Sequence, residues 1–138
     1  MSVDISTYFE KYEWTAERVD TNVWLSTFAT DREEDFDLYV ASANDWLHFA
    51  ISPFAPRPRP ECAPVLNQAM LELNQQMRLV RFAVDEDGDV NLLADLPQTD
   101  VDFASFAAVL DTMVYYTEEL AHEVARTATQ LGYRSAKF

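Results

Sequence analysis

The sequence predicts an α+β fold built on an antiparallel strand meander, and three observations carry that expectation. Apolar residues alternate with period two between positions 23 and 51, they switch to helical spacing from Leu66, and after two further short strand patterns around Asp87-Gly88 they return to helical spacing from Phe103. Side chains on a strand repeat every second residue and those on a helix about every 3.6, so the switches mark element boundaries.

The elements follow in order. Ile5, Tyr8, Phe9 and Tyr12 recur at helical spacing and Asp4 or Ser6 is placed to cap, which predicts a short helix over residues 3–12. Trp14 to Asp20 reads as an irregular edge strand or a connector. Val23, Leu25 and Thr27 then alternate with Trp24, Ser26 and Phe28, and Phe36, Leu38 and Val40 alternate with Asp35, Asp37 and Tyr39 across the acidic connection Asp31 to Glu34. A third strand is expected from Trp46 to Ile51, after the turn residues Ser42 to Asp45.

Five prolines between Pro53 and Pro64 interrupt both strand and helix patterns and predict an extended linker crossing one face of the sheet. Leu66, Ala69, Met70, Leu73 and Met77 make an apolar stripe behind Pro64, placing a helix at about residues 63–76. Leu79–Val84 and Val90–Asp95 read as a hairpin, in which Gly88 supplies the positive φ of the turn. Thr99 is the expected cap of the last helix, whose stripe runs from Phe103 through Phe106, Leu110, Met113 and Leu120 to Val124 and whose end falls near Leu131-Gly132. A helix of that length predicts exposed apolar surface over its second half, available to a partner.

Composition narrows the function. The chain carries 10 Lys and Arg against 24 Asp and Glu, a net charge of -14, so its field repels phosphate backbones and anionic headgroups and excludes nucleic acid as the expected partner. No apolar run approaches the ~20 residues of a membrane helix and the first residues lack a secretory pattern, so a cytoplasmic location is expected with no membrane partner. Cys62 is the lone cysteine, which rules out an internal disulfide and a thiolate zinc cluster made by this chain alone.

No catalytic constellation stands out. The only histidines are His48 and His122, and His122-Glu123 lacks a second histidine at the metalloprotease spacing, where Arg126 stands. Two glycines cannot build a dinucleotide or phosphate loop, and no serine sits in a nucleophile elbow. Asp85, Asp87 and Asp89 alternate as calcium ligands do, but Val90 and Leu96 occupy the places where a calcium loop needs glycine and glutamate. The expectation is a protein without catalytic residues, metal or cofactor. Trp24, Tyr39 and Trp46 are the candidate protein-binding anchors, because aromatic side chains supply large contact areas, with sheet or core packing as the competing role.

The stretch Leu71-Glu72-Leu73-Asn74, then Leu79-Val80-Arg81-Phe82-Ala83-Val84, Asp87-Gly88-Asp89-Val90 and Leu96-Pro97, resembles the YbjN family and, more broadly, the type III secretion chaperone-like superfamily. The resemblance is best over residues 66–124. It implies one domain over residues 1–138, an α-β-β-β-α-β-β-α order with a twisted antiparallel sheet and helices mainly on one face, and a homodimer. It also implies a chaperone-like or regulatory adaptor that binds another protein or an extended segment, a basic one suiting the acidic field; YbjN-like members are ascribed to sensory transduction. The alternatives are a signalling regulator that binds one folded partner and a small-ligand module.

Overall fold

The computed structural model describes residues 4–138. Helix α1 (Ile5–Tyr12) opens on Asp4, whose carboxylate accepts from the Thr7 amide at 3.1 Å, and closes on Glu13 in the left-handed conformation. Strands β1 (Glu17–Asp20), β2 (Val23–Ala29), β3 (Asp35–Ala43) and β4 (Trp46–Ala55) follow, then α2 (Ala63–Gln76), β5 (Arg81–Val84), β6 (Val90–Pro97) and α3 (Phe103–Thr129). The six strands form one sheet in the order β1-β2-β3-β4-β6-β5, with every neighbouring pair antiparallel.

Several boundaries differ from expectation. Of the two readings of the stretch before Asp20 the edge strand holds, as β1, so four strands rather than three precede α2. Strand β4 runs through Pro53, which has no amide hydrogen to donate; the ladder to β6 is irregular between Ile51 and Ala55, and that is where a proline is tolerated. Asp102, not Thr99, caps α3: Asp100 has a φ of 67°, which breaks any helix begun earlier, and Asp102 accepts from the Ser105 amide at 2.8 Å. The helix stops at Thr129, short of Leu131.

All three helices pack on one side of the sheet. Ile5 and Phe9 of α1, Leu66 and Met70 of α2, and Phe106, Leu110, Met113 and Val124 of α3 join Leu38, Val40, Leu47, Phe49, Ile51 and Leu92 in one core. The far half of α3 is not left bare. Leu120, Val124 and Ala128 are buried, and the proline-rich linker is tied there by the Arg59 amide donating to Ala128 O at 2.9 Å. The expected apolar surface on that half is covered by the chain itself, apart from Tyr115 and Leu131 at its margins.

The β5 edge is blunted by a side chain. Asn74 of α2 accepts from the Phe82 amide at 2.7 Å and donates to the Phe82 carbonyl at 3.1 Å, as a neighbouring strand would. Asn74→Leu removes both bonds from a partly buried strand, which should cost about 1–3 kcal/mol. Faster hydrogen exchange of the Phe82 amide would accompany the loss; unchanged exchange would contradict the pairing.

Candidate protein-binding face

The strand pattern places two sets of side chains back to back. Trp24, Ser26, Phe28, Phe36, Leu38, Val40, Leu47, Phe49 and Ile51 face the helices. The alternate residues face away, where no helix of the described residues covers them, and register aligns them across strands: Leu25 opposes Tyr39, Tyr39 opposes Ala50, and Ala50 opposes Leu93. A second row carries Val23, Ala41, His48 and Asp95, and Trp46 stands at the end of the face between Ala43 and Pro97. The result is an apolar strip on an uncovered face, bordered by charge.

The three candidate anchors divide between the two sides. Trp24 is only 9% exposed, packs in the core and donates its indole N–H to Ser6 Oγ at 3.0 Å, the competing role expected of it. Trp46 is 43% exposed and Tyr39 half-buried, and both lie on the uncovered face. Their sequence neighbours explain the split: Trp24 is in phase with Phe28, whereas Tyr39 and Trp46 are out of phase with Leu38 and Leu47.

An ionic cluster borders the strip. Asp95 lies 2.5 Å from His48 Nδ1 through one oxygen and 2.8 Å from Arg81 Nη2 through the other, joining β4, β6 and β5. Burial works against ionisation of Asp95, but the hydrogen bonds and positive charge of His48 and Arg81 outweigh it and hold the carboxyl below its ordinary value. Its proton is therefore lost more readily in the folded chain than in the unfolded one. The cluster's contribution to stability is complete above the ordinary carboxylate value of 3.8 and declines as pH falls through the lower folded value. Asp95→Asn should flatten that part of the acid limb in urea melts; an unchanged limb would show that the cluster does not contribute. Sequence reading missed this group because its members are far apart in the chain, and only strand register joins them.

The acidic hairpin is organised by Asp85. Asp85 Oδ1 accepts from the Asp87 and Asp89 amides, each at 3.0 Å, while Oδ2 accepts from Asn91 Nδ2 at 3.2 Å. Those bonds, led by the one from Asp89, lower its pKa, so Asp85 acts as the cap of the turn in which Gly88 takes a φ of 87°. The carboxylates of Asp85, Asp87 and Asp89 lie within 4.8 Å of one another, the one such trio among the described residues. Cys62 is buried at the start of α2, and His122 is partly buried on α3.

The helix-covered antiparallel sheet is shared with solved structures, one of them a complex from a type III secretion system. The ExsC-ExsE complex superposes with a TM-score of 0.62 at 12% identity, covering 91% of this chain and 98% of that one. The ExoU-SpcU heterodimer of the Pseudomonas aeruginosa type III secretion system gives 0.61 at 15%, covering 86% and 96%. YbjN from E. coli gives 0.61 at 14%, covering 86% and 90%. Identities this low establish the shared fold alone. The chain belongs to the YbjN family, whose model, described as "Putative bacterial sensory transduction regulator", matches residues 3–126. Curated proteins give no sequence match.

Proposed function

We propose that this protein is a non-catalytic adaptor that binds another protein through the uncovered sheet face. The observation that carries the reading is the cross-strand row Leu25-Tyr39-Ala50-Leu93, half-buried, with the exposed Trp46 at its margin, on a sheet face that no helix of the described residues covers. Two of the solved structures sharing the fold are complexes of two proteins, ExsC with ExsE and ExoU with SpcU, and this supports the reading by analogy.

The favoured partner is a basic extended segment, acting on a cytoplasmic chain. A net charge of -14 attracts a basic client at long range, and the strip retains it at short range. Association should therefore slow as salt rises while some affinity survives, since apolar burial is not screened. Binding that vanishes altogether at about 0.5 M salt would contradict the apolar half of the reading.

A homodimer belongs to the same proposal. Leu71, Leu79 and Val84 are exposed where α2 meets the β5 edge, and Leu71 and Val84 border an apolar groove of about 230 Å³. A two-fold contact would bury the same residues of both copies. Light scattering at micromolar concentration should give twice the mass of 15.8 kDa, and Leu71→Glu should return it to the single value. A single mass for the unaltered chain would refute the dimer without touching the sheet-face claim.

A further inference from the structure

On the helical side, residues 132–138 lie over the seam between α2 and α3, and their chemistry departs from the rest of the chain. The segment Gly132-Tyr133-Arg134-Ser135-Ala136-Lys137-Phe138 holds two cations and two aromatic rings and no acidic side chain, in a protein of net charge -14. Gly132, with a φ of 81°, follows the end of α3 in a conformation that suits glycine, and the chain then runs back along the helices.

Its attachments are made by side chains. Lys137 Nζ reaches Glu119 at 3.0 Å, the Tyr133 hydroxyl donates to Glu123, Arg126 stacks over the Tyr133 ring at 4.2 Å, and Phe138 packs against the core. Its backbone hydrogen bonds are local: Tyr133 N to Gln130 O, and Phe138 N to Ser135 O. A segment held this way opens without breaking any helix or strand.

Open grooves run along the seam beside the segment. One of about 340 Å³ lies among Val65, Ala69 and Glu72 of α2, Thr127 of α3, and Tyr133 and Phe138. Another of about 390 Å³ follows along the same two helices, among Leu73, Met77, Tyr116, Glu119, Leu120 and Lys137. Glu72 and Glu119 stand among apolar side chains along it, complementary to cations and aromatic rings.

We propose that this seam is a second peptide-binding groove, that residues 132–138 occupy it as a displaceable internal ligand, and that its external ligand is an extended basic segment carrying aromatic side chains, from another protein. Ligand and segment compete for Glu119, Glu123 and the apolar seam, so the segment lowers apparent affinity by the fraction of time it is seated. The proposal is independent of the sheet face.

The test uses the full chain and a fluorescent peptide of the sequence Gly-Tyr-Arg-Ser-Ala-Lys-Phe. The combined variant Tyr133→Ala, Lys137→Glu and Phe138→Ala unseats the segment while leaving α2 and α3 unaltered. It should bind the peptide saturably and at least about tenfold more tightly than the natural chain, the effect expected if the seated form predominates by that factor. Adding Glu119→Lys should remove the gain, as should reversing the lysine charge in the peptide. Equal affinity for both chains, or no saturable binding to either with circular dichroism unchanged, would overturn the proposal. Should the combined variant lose its fold, Lys137→Glu alone is measured with the same peptide: tighter binding than the natural chain supports the proposal, and equal or weaker binding overturns it.

Discussion

Phe106→Ala should lower the melting temperature more than any single change outside the core. Phe106 is fully buried, and its ring centroid lies 5.2 Å from that of Phe9 in an edge-on contact, 5.3 Å from Tyr8 and 5.7 Å from Phe49. One side chain thus joins α1, α3 and the centre of the sheet. Truncating it removes the transfer free energy of the ring and leaves a cavity, together about 3–5 kcal/mol. Domains are stable by only about 5–15 kcal/mol in total. For 138 residues the loss corresponds to roughly 10–17 °C in melting temperature. Helix α1 should lose its hydrogen-exchange protection first, because Phe9 and Tyr8 both pack on that ring. Tyr115→Ala, at a side chain 58% exposed, should shift stability by no more than about 0.5 kcal/mol. Equal effects of the two changes would contradict the core assignment.

Tyr39→Glu combined with Leu93→Glu should abolish partner binding while sparing the fold. The two positions sit on either side of Ala50 in one cross-strand row, so the pair places two charges in the middle of the apolar strip. Central contact residues typically account for about 2–4 kcal/mol or more when lost, about 30- to 1000-fold in affinity. Because both side chains face away from the helices, the melting temperature should fall far less than for Phe106→Ala. Trp24→Ala supplies the opposite pattern: its indole lies in the core, so binding should fail only to the extent that the chain unfolds. If the double variant binds its partner as tightly as the natural chain, the sheet face is not the site.

Much of the fold was legible because strong local signals agreed with one another. Pro64 and the Leu66-Ala69-Met70-Leu73 stripe place α2 at its observed limits, and Gly88 among acidic residues places the hairpin. The start of α3 was misplaced at Thr99 because Thr99 and Asp102 are both cap-forming types, and backbone conformation at Asp100 decides between them. The continuation of β4 beyond Ile51 was hidden by Pro53, whose tolerance depends on the irregular pairing with β6.

The functional face was less legible for a different reason. In β2 both phases of the alternation are apolar, Val23 and Leu25 on one side and Trp24 and Phe28 on the other, so period two alone does not say which side the helices cover. That choice is made by tertiary packing, which sends Trp24 inward and leaves Tyr39 and Trp46 outside. The Arg81-Asp95-His48 cluster and the seated segment at residues 132–138 likewise exist only once distant stretches have been brought together.

Site-specific photocrosslinking inside the native cell tests the sheet-face claim most directly. A crosslinking side chain is placed at Tyr39, at Trp46 or, as a control, at Ala108, which is exposed on α3. Tyr39 and Trp46 should each yield a discrete adduct with the same protein, lost when Leu93→Glu is added, and Ala108 should not. A partner captured from Ala108 but from neither sheet-face position, or no discrete protein adduct from Tyr39 and Trp46, would contradict the account.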